Sequence, residues 1–200
     1  LENPHEIISI DAQKLYTSVN TELVIKEIIK IVYTKPTKFF KIDPNEKTNF
    51  WLSTKIPPES VFRNFLFQIL VKFNSFSTVA LLYQQTNGLA MGSKISPFIA
   101  HCYLNIMEQE IIKKEIQKGT ISEYCRFVDH IYCVVNKRHK NRIINSLNNF
   151  DNKFIKFTTE AMVNNSLTYL DTEIYLDPQT LPQIKKISKE NNFRCDYKLQ

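Results

Sequence analysis

The stretch YCRFVDHIYCVV, residues 124–135, sets one acid between two apolar runs. Segments 124–128 and 131–135 are rich in aromatic and β-branched residues, which favour strands. A two-residue tip between two such segments is typical of a β-hairpin, so the sequence predicts that Asp129 is lifted out of a sheet. An aspartate in an ordinary solvated turn is the alternative for this segment taken alone, because turns tolerate that residue.

A second acid, Asp11, stands in a matching context. The apolar segment 7–10 predicts a buried strand that ends at this acid, and apolar residues at helical spacing predict a helix at 21–33. Acids at the ends of two adjacent strands can share metal ions. Two-metal phosphoryl transfer needs hard oxygen ligands that hold two cations roughly 4 Å apart. Asp11 and Asp129 are therefore candidates for such a site.

A glycine-containing loop, QQTNGLAMGSKISP at 84–97, holds two of the three glycines in the chain. Because glycine is so scarce elsewhere, Gly88 and Gly92 indicate a backbone that must bend or approach a ligand closely. An ordinary strand-to-helix loop is the alternative. The loop leads into the longest helical pattern, 96–118, where Pro97 suits the first turn.

Composition limits the classes of protein to consider. The 200 residues are 43% hydrophobic and 12% aromatic, which is enough for a single compact core. A net charge of +6 is compatible with a polyanionic partner, although it is also ordinary for a lysine-rich protein. No secretory signal or membrane span is recognisable, and the cysteines lack the short paired spacing of zinc sites, so reduced thiols are predicted. The cysteines are Cys102, Cys125, Cys133 and Cys195.

The order of the remaining patterns predicts an α+β fold. Helices are predicted at 59–74 and 138–150, and strands at 79–83, 153–160 and 167–176. A turn at Asn164–Asn165 would join the last two strands. Residues 34–58 are predicted to be a long connection with a short hairpin around Phe39 and 50–52. An antiparallel sheet backed on one face by helices fits this order.

These segments, taken in order, resemble the palm of reverse transcriptases, most closely that of Penelope-like retroelements, which are relatives of telomerase reverse transcriptase. The first, second and third palm motifs are matched by 11–19, 84–97 and 126–130, and the downstream strands by 155–160 and 167–171. The resemblance covers nearly the whole chain, and motifs in the right order are specific although each alone is weak. It implies one reverse transcriptase domain over residues 1–200, with a palm-type antiparallel sheet backed by helices and part of the fingers. An unrelated α+β domain with coincidental acids is the alternative.

The resemblance implies specific roles for the matching residues. Asp11, Asp129 and the main-chain carbonyl of Ala12 would hold two Mg²⁺ ions, for which Mn²⁺ can substitute. Tyr16 would pack under the sugar of the incoming nucleotide and select deoxynucleoside triphosphates. The 3′-hydroxyl of a DNA primer would attack the α-phosphorus, on an RNA or DNA template. Further substrate-binding candidates are Gln85, Gly92 and Ser93.

Several basic residues are candidates for nucleic-acid contact. They are Arg126, Arg138, Lys140 and Lys156. Cationic side chains give sequence-independent affinity for phosphates, although a solvated helix face is the alternative for Arg138 and Lys140. Arg126 could instead buttress the neighbouring acid, and Lys156 could donate a proton to pyrophosphate.

One position departs from the family pattern. The third motif usually carries two consecutive aspartates, and His130 stands at the second. An imidazole is neutral or positive where the site expects negative charge, and it suits zinc or copper better than magnesium. Impaired catalysis is therefore expected. Two hypotheses remain open: an impaired RNA-directed DNA polymerase, or a domesticated or decayed palm that serves as a nucleic-acid-binding or structural assembly subunit.

The resemblance also implies an intracellular, nuclear location with no membrane partner. It further implies a longer product, because fingers precede the palm and a thumb follows it in related polymerases. The thumb, and any endonuclease of the GIY-YIG type found in Penelope-like proteins, would lie after Gln200.

Overall fold

The computed structural model describes residues 4–34, 57–72, 74–77, 79–164, 166–170, 172–175 and 183–185. Most of the connection predicted at 34–58, with its hairpin, lies outside the described residues, as does Cys195. The described helices are α1 (Thr21–Thr34), α2 (Glu59–Phe67), α3 (Ser96–Met107), α4 (Lys113–Gln117) and α5 (Lys140–Phe150). The described strands are β1 (His5–Gln13), β2 (Ser75–Ser77), β3 (Leu82–Gln84), β4 (Ile121–Phe127), β5 (His130–Asn136), β6 (Lys156–Ala161), β7 (Ser166–Tyr169), β8 (Thr172–Tyr175) and β9 (Gln183–Lys185).

Strand β1 lies inside a four-stranded antiparallel sheet with the order β4-β5-β1-β6. The alternation of its side chains explains this position. Ile8, Ile10 and Ala12 are buried on one face, whereas Ser9 and Asp11 lie on the other. Strand β1 therefore gives the sheet one apolar face, and its other face carries the first candidate acid.

Three helices cover the apolar face and build the main core with it. The buried helical side chains include Val24, Ile25 and Ile29 of α1, Ile99, Tyr103, Leu104 and Met107 of α3, and Ile143 and Leu147 of α5. From the sheet, β5 adds Ile131, Cys133 and Val135 to the residues of β1. Each large apolar side chain buried in this way contributes roughly 1.5–3 kcal/mol. The predicted α+β architecture, an antiparallel sheet backed by helices, is confirmed.

Asp151 ties the helices together at the point where α5 ends. Its Oδ2 accepts hydrogen bonds from the hydroxyl of Tyr103 at 2.9 Å and from the side-chain amide of Asn20 at 3.1 Å. Asn20 also accepts from the N–H of Leu23 at 3.2 Å, which caps the N-terminus of α1. Burial, and then the hydrogen bond and charge of Asp151, raises the pKa of Tyr103. One carboxylate thus links α1, α3 and the end of α5.

The long helical pattern predicted at 96–118 is confirmed, but it is not one regular helix. A π-helical turn at Glu108–Ile112 joins α3 to α4, and the chain leaves α4 at Gly119, whose φ is 69°. A similar turn at Gln68–Lys72 follows α2. The extra residue in a π turn rotates the side chains after it, which periodicity alone does not reveal.

In the described part of the chain, the second face of the sheet packs against a small second sheet, and the hydroxyl of Tyr169 donates to the carbonyl of His130 at 3.2 Å. Tyr132 and Val134 of β5, with Ile7 of β1, pack against Leu167 and Ile174 of the small antiparallel sheet β7-β8-β9. The acid-bearing end of β1 lies outside this apolar cluster. Within the described part of the chain, no helix is long and apolar enough to cross a membrane.

Two predicted boundaries around turns are corrected. The hairpin tip is Val128–Asp129, not Asp129–His130, because His130 pairs with Phe127 and begins β5. The strand predicted at 167–176 is split into β7 and β8, because the chain turns at Leu170, whose φ is 54°. Val128 and Leu170 are apolar, so neither residue signalled a turn.

Three further boundaries differ in length. Strand β3 begins at Leu82 rather than at 79, β6 begins at Lys156 rather than at 153, and α5 begins at Lys140 rather than at 138. The turn predicted at Asn164–Asn165 is present as far as it is described, since Asn164 has a φ of 52°.

Candidate metal centre at the open end of the sheet

The pairing of β1 with β5 brings Asp11 and Asp129 together. Asp11 is the cross-strand partner of His130, and the N–H of Ala12 donates to the carbonyl of Asp129 at 3.0 Å. His130 lies between the two acids, with Nδ1 3.2 Å from Oδ1 of Asp11 and Nε2 3.7 Å from Oδ1 of Asp129. The side chains of Asp11, Asp129 and His130 are 42%, 36% and 44% exposed, so solvent ions can reach all three.

The donor set of this cluster fits a divalent cation. One ligand atom from each of Asp11, Asp129 and His130 lies within 4.8 Å of the others. Carboxylate oxygens are the hard ligands that Mg²⁺ favours, whereas an imidazole nitrogen suits transition metals. The two acids therefore fit the Mg²⁺ that the resemblance implies, and Ala12 contacts the cluster through its N–H. His130 is the member that does not fit it.

Val128 gives the hairpin tip an unusual backbone. Its φ is 55°, in the left-handed region that β-branched residues rarely adopt. A residue in such a conformation costs on the order of 1–3 kcal/mol and persists only where its surroundings hold it. Asp129 follows directly, so the direction of its carboxylate depends on this turn.

Arg126 holds the turn from the helical side of the sheet. Its Nη1 donates to the carbonyl of Val128 at 3.0 Å, while Nε and Nη2 donate to Glu108 at 2.6 and 3.2 Å. Only 7% of the Arg126 side chain is exposed. Burial on its own would lower the pKa of Arg126, but hydrogen bonding to Glu108 and its charge outweigh burial and raise that pKa. This geometry supports the buttressing role over contact with a primer.

The glycine loop packs on the 3₁₀ turn Leu15–Ser18 that follows β1. The N–H of Leu89 donates to the carbonyl of Tyr16 at 2.7 Å. A Cβ on Gly88 would lie 2.5 Å from the carbonyl oxygens of Tyr16 and Thr17, and the φ of Gly88 is 72°. Glycine is therefore required at this position for space and for backbone conformation. Tyr16 is fixed to the loop that sequence reasoning assigned to the same site.

The other candidate residues of the loop have different surroundings. The side-chain amide of Gln85 donates within the loop, to the carbonyls of Asn87 at 2.6 Å and Leu89 at 3.2 Å. Gly92 is exposed, has a φ of 92° and has open space around it, and Ser93 is half-buried. Gln85 thus shapes the loop, while Gly92 lies at its surface.

Asn74 is a buried residue that the sequence did not single out. Its side-chain NH₂ donates to the carbonyl of Gly88 at 3.1 Å, and its main-chain carbonyl accepts from the N–H of Gln85 at 2.7 Å. The residue is 5% exposed, and its Oδ1 has no hydrogen-bond partner within the described part of the chain. The sequence signal that could have identified Asn74 is its position as a polar residue at the end of an apolar helical pattern. Asn74 thus anchors the loop through Gly88 and Gln85, whereas Tyr16 holds it through Leu89.

The candidate basic residues divide between the two ends of the sheet. Lys156 is paired with Gln13, two residues beyond Asp11, so Lys156 lies on the same face as that acid. Arg138 and Lys140 follow the other end of β5. Lys156 is therefore the one of these three that the fold places at the acid-bearing end.

The described cysteines are thiols, as predicted. Cys102, Cys125 and Cys133 form no disulfide with one another. Burial raises the pKa of Cys133 to about 12, so this residue is a neutral apolar side chain in the core at neutral pH.

An antiparallel sheet backed by helices, with acids converging where β1 and the β4–β5 hairpin meet, is the architecture of a polymerase palm. The chain matches the family model described as reverse transcriptase (RNA-dependent DNA polymerase) over residues 2–166. This protein therefore belongs to the reverse transcriptase family.

Solved structures of telomerase share the fold. Apo telomerase from Candida tropicalis truncated from its C-terminal domain aligns with a TM-score of 0.61 and 15% identity, over 91% of this chain and 35% of that one. Telomerase from the same species in complex with a TWJ fragment of telomeric RNA aligns with a TM-score of 0.65 and 14% identity, over 94% of this chain and 30% of that one. Telomerase from Candida albicans, also in complex with a TWJ fragment of telomeric RNA, aligns with a TM-score of 0.58 and 11% identity, over 86% of this chain and 30% of that one.

This chain spans about a third of the length of those telomerase chains. At such identities the likeness shows the fold alone. The comparison with curated proteins found no match.

Proposed function

We propose that this chain is the palm of an RNA-directed DNA polymerase from a Penelope-like retroelement. Family membership supports reverse transcription. The observation that carries the proposal is the convergence of Asp11 and Asp129 on one exposed cluster. The subtype is supported by the order of the sequence motifs. The partners would be an RNA or DNA template, a DNA primer and deoxynucleoside triphosphates, in the nucleus.

The residues of the cluster would act through positioning and charge. Asp11, Asp129 and the carbonyl of Ala12 would hold two Mg²⁺ or Mn²⁺ ions. Such ions activate an attacking hydroxyl and stabilise the leaving oxygen when they are bound. Tyr16 would pack under the sugar of the nucleotide. Lys156 lies on the face of Asp11, from which it would place a positive charge near the leaving pyrophosphate.

His130 would impair this activity. A second aspartate would supply oxygen donors at this position, whereas the imidazole supplies nitrogen donors and lies 3.2 Å from Asp11. Nitrogen donors raise the affinity for transition-metal ions relative to Mg²⁺. The polymerase is therefore expected to work poorly with Mg²⁺ and better with Mn²⁺.

Primer extension on an RNA template tests the proposal. The longest natural form that contains this segment would be compared with His130→Asp and with Asp129→Ala, each with Mg²⁺ and with Mn²⁺. Extension by the natural form that is lost in Asp129→Ala would support a polymerase that tolerates histidine. Extension only after His130→Asp would identify a decayed site on an intact palm.

The second candidate is a decayed or domesticated palm that binds nucleic acid or serves in an assembly. The observation that favours it is the placement of His130 between the two acids. It predicts no extension by the natural form or by Asp129→Ala, and equal binding of an RNA–DNA hybrid with and without a chelator. A hybrid affinity that depends on both the metal and Asp129 would argue against it.

A further inference from the structure

We propose that Glu108 and Arg126 form a positioning pair that sets the direction of Asp129 by holding the strained turn at Val128. The pair touches neither substrate nor metal. Its importance for catalysis rests on the proposed function, in which Asp129 is a metal ligand, but its effect on the hairpin does not.

Glu108 is directed at the hairpin by its place in the long helix, where α3 gives way to the π-helical turn. Its Oε1 accepts from the hydroxyl of Tyr124 at 2.7 Å and from Nε of Arg126 at 2.6 Å. Its Oε2 accepts from Nη2 of Arg126 at 3.2 Å. Tyr124 and Arg126 are two residues apart on β4, so they share a face. Both oxygens of Glu108 are therefore committed to the strand that leads to the tip.

His101 helps to orient the same guanidinium. It lies seven residues before Glu108, which is two helical turns and therefore the same side of the helix. Its Nδ1 is 3.3 Å from Nη2 of Arg126. With Nε and Nη2 engaged in this way, Nη1 is left pointing at the carbonyl of Val128, 3.0 Å away.

The two carbonyls of the tip are consequently held from opposite sides. Nη1 of Arg126 donates to the carbonyl of Val128, and the N–H of Ala12 donates to the carbonyl of Asp129, each at 3.0 Å. Without the first of these bonds, Val128 is free to leave its φ of 55°. Because the peptide of Asp129 turns with it, the bond from Ala12 should weaken and the carboxylate should move away from Asp11.

Arg126→Lys isolates this role from general packing. A lysine keeps the positive charge beside Glu108, but an ammonium lacks the planar fork that serves Glu108 and the Val128 carbonyl together. Arg142→Lys is the matched control. Nη1 and Nη2 of Arg142 donate to Glu115 at 3.1 and 2.5 Å. Glu115 precedes the first residue of β4, at the end opposite the tip.

Amide hydrogen exchange provides a readout that needs no metal. Arg126→Lys is expected to speed exchange at Ala12 about tenfold relative to the middle of β1, the size expected for one lost charge-assisted hydrogen bond. It should also weaken Mn²⁺ binding in calorimetry about tenfold. Arg142→Lys should change neither quantity, even where both variants lower the thermal midpoint equally.

Unchanged exchange at Ala12 in Arg126→Lys, or an equal change in Arg142→Lys, would overturn the proposal. Faster exchange at Ala12 together with unchanged Mn²⁺ affinity would also overturn it, because the carboxylate would then not depend on the turn. If the natural protein binds no Mn²⁺ at all, the proposed function fails, and the exchange data still decide whether the pair holds the tip. Should Arg126→Lys not fold, Glu108→Gln carries the same test, since it removes the charge that orients the guanidinium.

Discussion

At the scale of single residues, we expect His130 to determine which ions the cluster prefers. It faces Asp11 across the β1–β5 pairing and stands between both acids. His130→Asp would replace nitrogen donors by oxygen donors in the same place. We expect its Mg²⁺ affinity to rise about tenfold or more, measured by calorimetry, because carboxylates are the ligands that Mg²⁺ prefers. Affinity for Zn²⁺ should fall in the same variant.

His130→Ala is the control for this prediction, because it removes the imidazole without adding a carboxylate. If the alanine variant gains as much Mg²⁺ affinity as the aspartate variant, removal of the imidazole and not the new donor explains the gain. No gain in either variant would argue against Asp11 and Asp129 as Mg²⁺ ligands.

Gly88 and Gly92 make a matched pair for a second prediction at this scale. Both have positive φ, but a Cβ on Gly88 would lie 2.5 Å from two backbone oxygens, whereas a Cβ on Gly92 would meet nothing within 4 Å. We expect Gly88→Ala to lower the free energy of unfolding by about 3 kcal/mol or more, since overpacking adds to backbone strain. Gly92→Ala should lower it by about 1 kcal/mol from strain alone.

Urea denaturation of the two variants would measure the difference. Equal destabilisation would show that the loop does not pack on the turn containing Tyr16. Such a result would also remove the reason for linking Tyr16 to the glycine loop.

At the scale of secondary-structure elements, Glu115 joins α4 to α5 and to the start of β4. Burial on its own would raise the pKa of Glu115, but hydrogen bonds from Arg142, Thr120 and Lys118 outweigh burial and lower that pKa to about 2. The carboxyl therefore binds its proton more weakly in the folded state than in the unfolded chain. Its contribution to stability is present above about pH 4.5 and is lost as the pH falls towards 2.

We expect Glu115→Gln to lower the free energy of unfolding at pH 7 by about 3 kcal/mol, which is the free energy that the lowered pKa of Glu115 represents. The free energy of unfolding of this variant should also depend less on pH between 5 and 2. Chemical denaturation at a series of pH values measures both effects. Glu59→Gln is the control, because the Glu59–Arg63 pair is half exposed and should contribute little. A pH profile for Glu115→Gln that matches the natural protein would contradict the role of this carboxylate.

Elements with a clear period could be predicted from the sequence, and special backbone conformations could not. The apolar run before Asp11 and the helical pattern of 96–118 reflect burial, which leaves a recognisable imprint on residue choice. The turns at Val128 and Leu170 carry apolar residues with positive φ, so propensity argued against them. The link from Glu108 to Arg126 spans 18 residues and depends on a π turn, for which sequence offers no period.

At the scale of the whole molecule, the two faces of the sheet have different surroundings. One face meets the helices and holds the main core, while the other packs against β7 and β8 at Ile7, Tyr132 and Val134 in the described part of the chain. Among the described residues, the side chains of Asp11 and His130 at one end of this face remain 42% and 44% exposed. A net charge of +6 is compatible with a polyanionic partner, and under the proposed function we expect that partner to lie across this end of the sheet.

The placement of Lys156 makes this idea testable. Lys156 lies on the face of Asp11, whereas Arg138 follows the opposite end of β5, and both are exposed cations. We expect Lys156→Gln to reduce the slope of log affinity against log salt for an RNA–DNA hybrid by about 1, because one phosphate contact is lost. Arg138→Gln should leave the slope unchanged. Fluorescence anisotropy across a salt series measures both slopes. A larger reduction of the slope by Arg138→Gln than by Lys156→Gln would place the nucleic acid at the other end of the sheet, away from the acids.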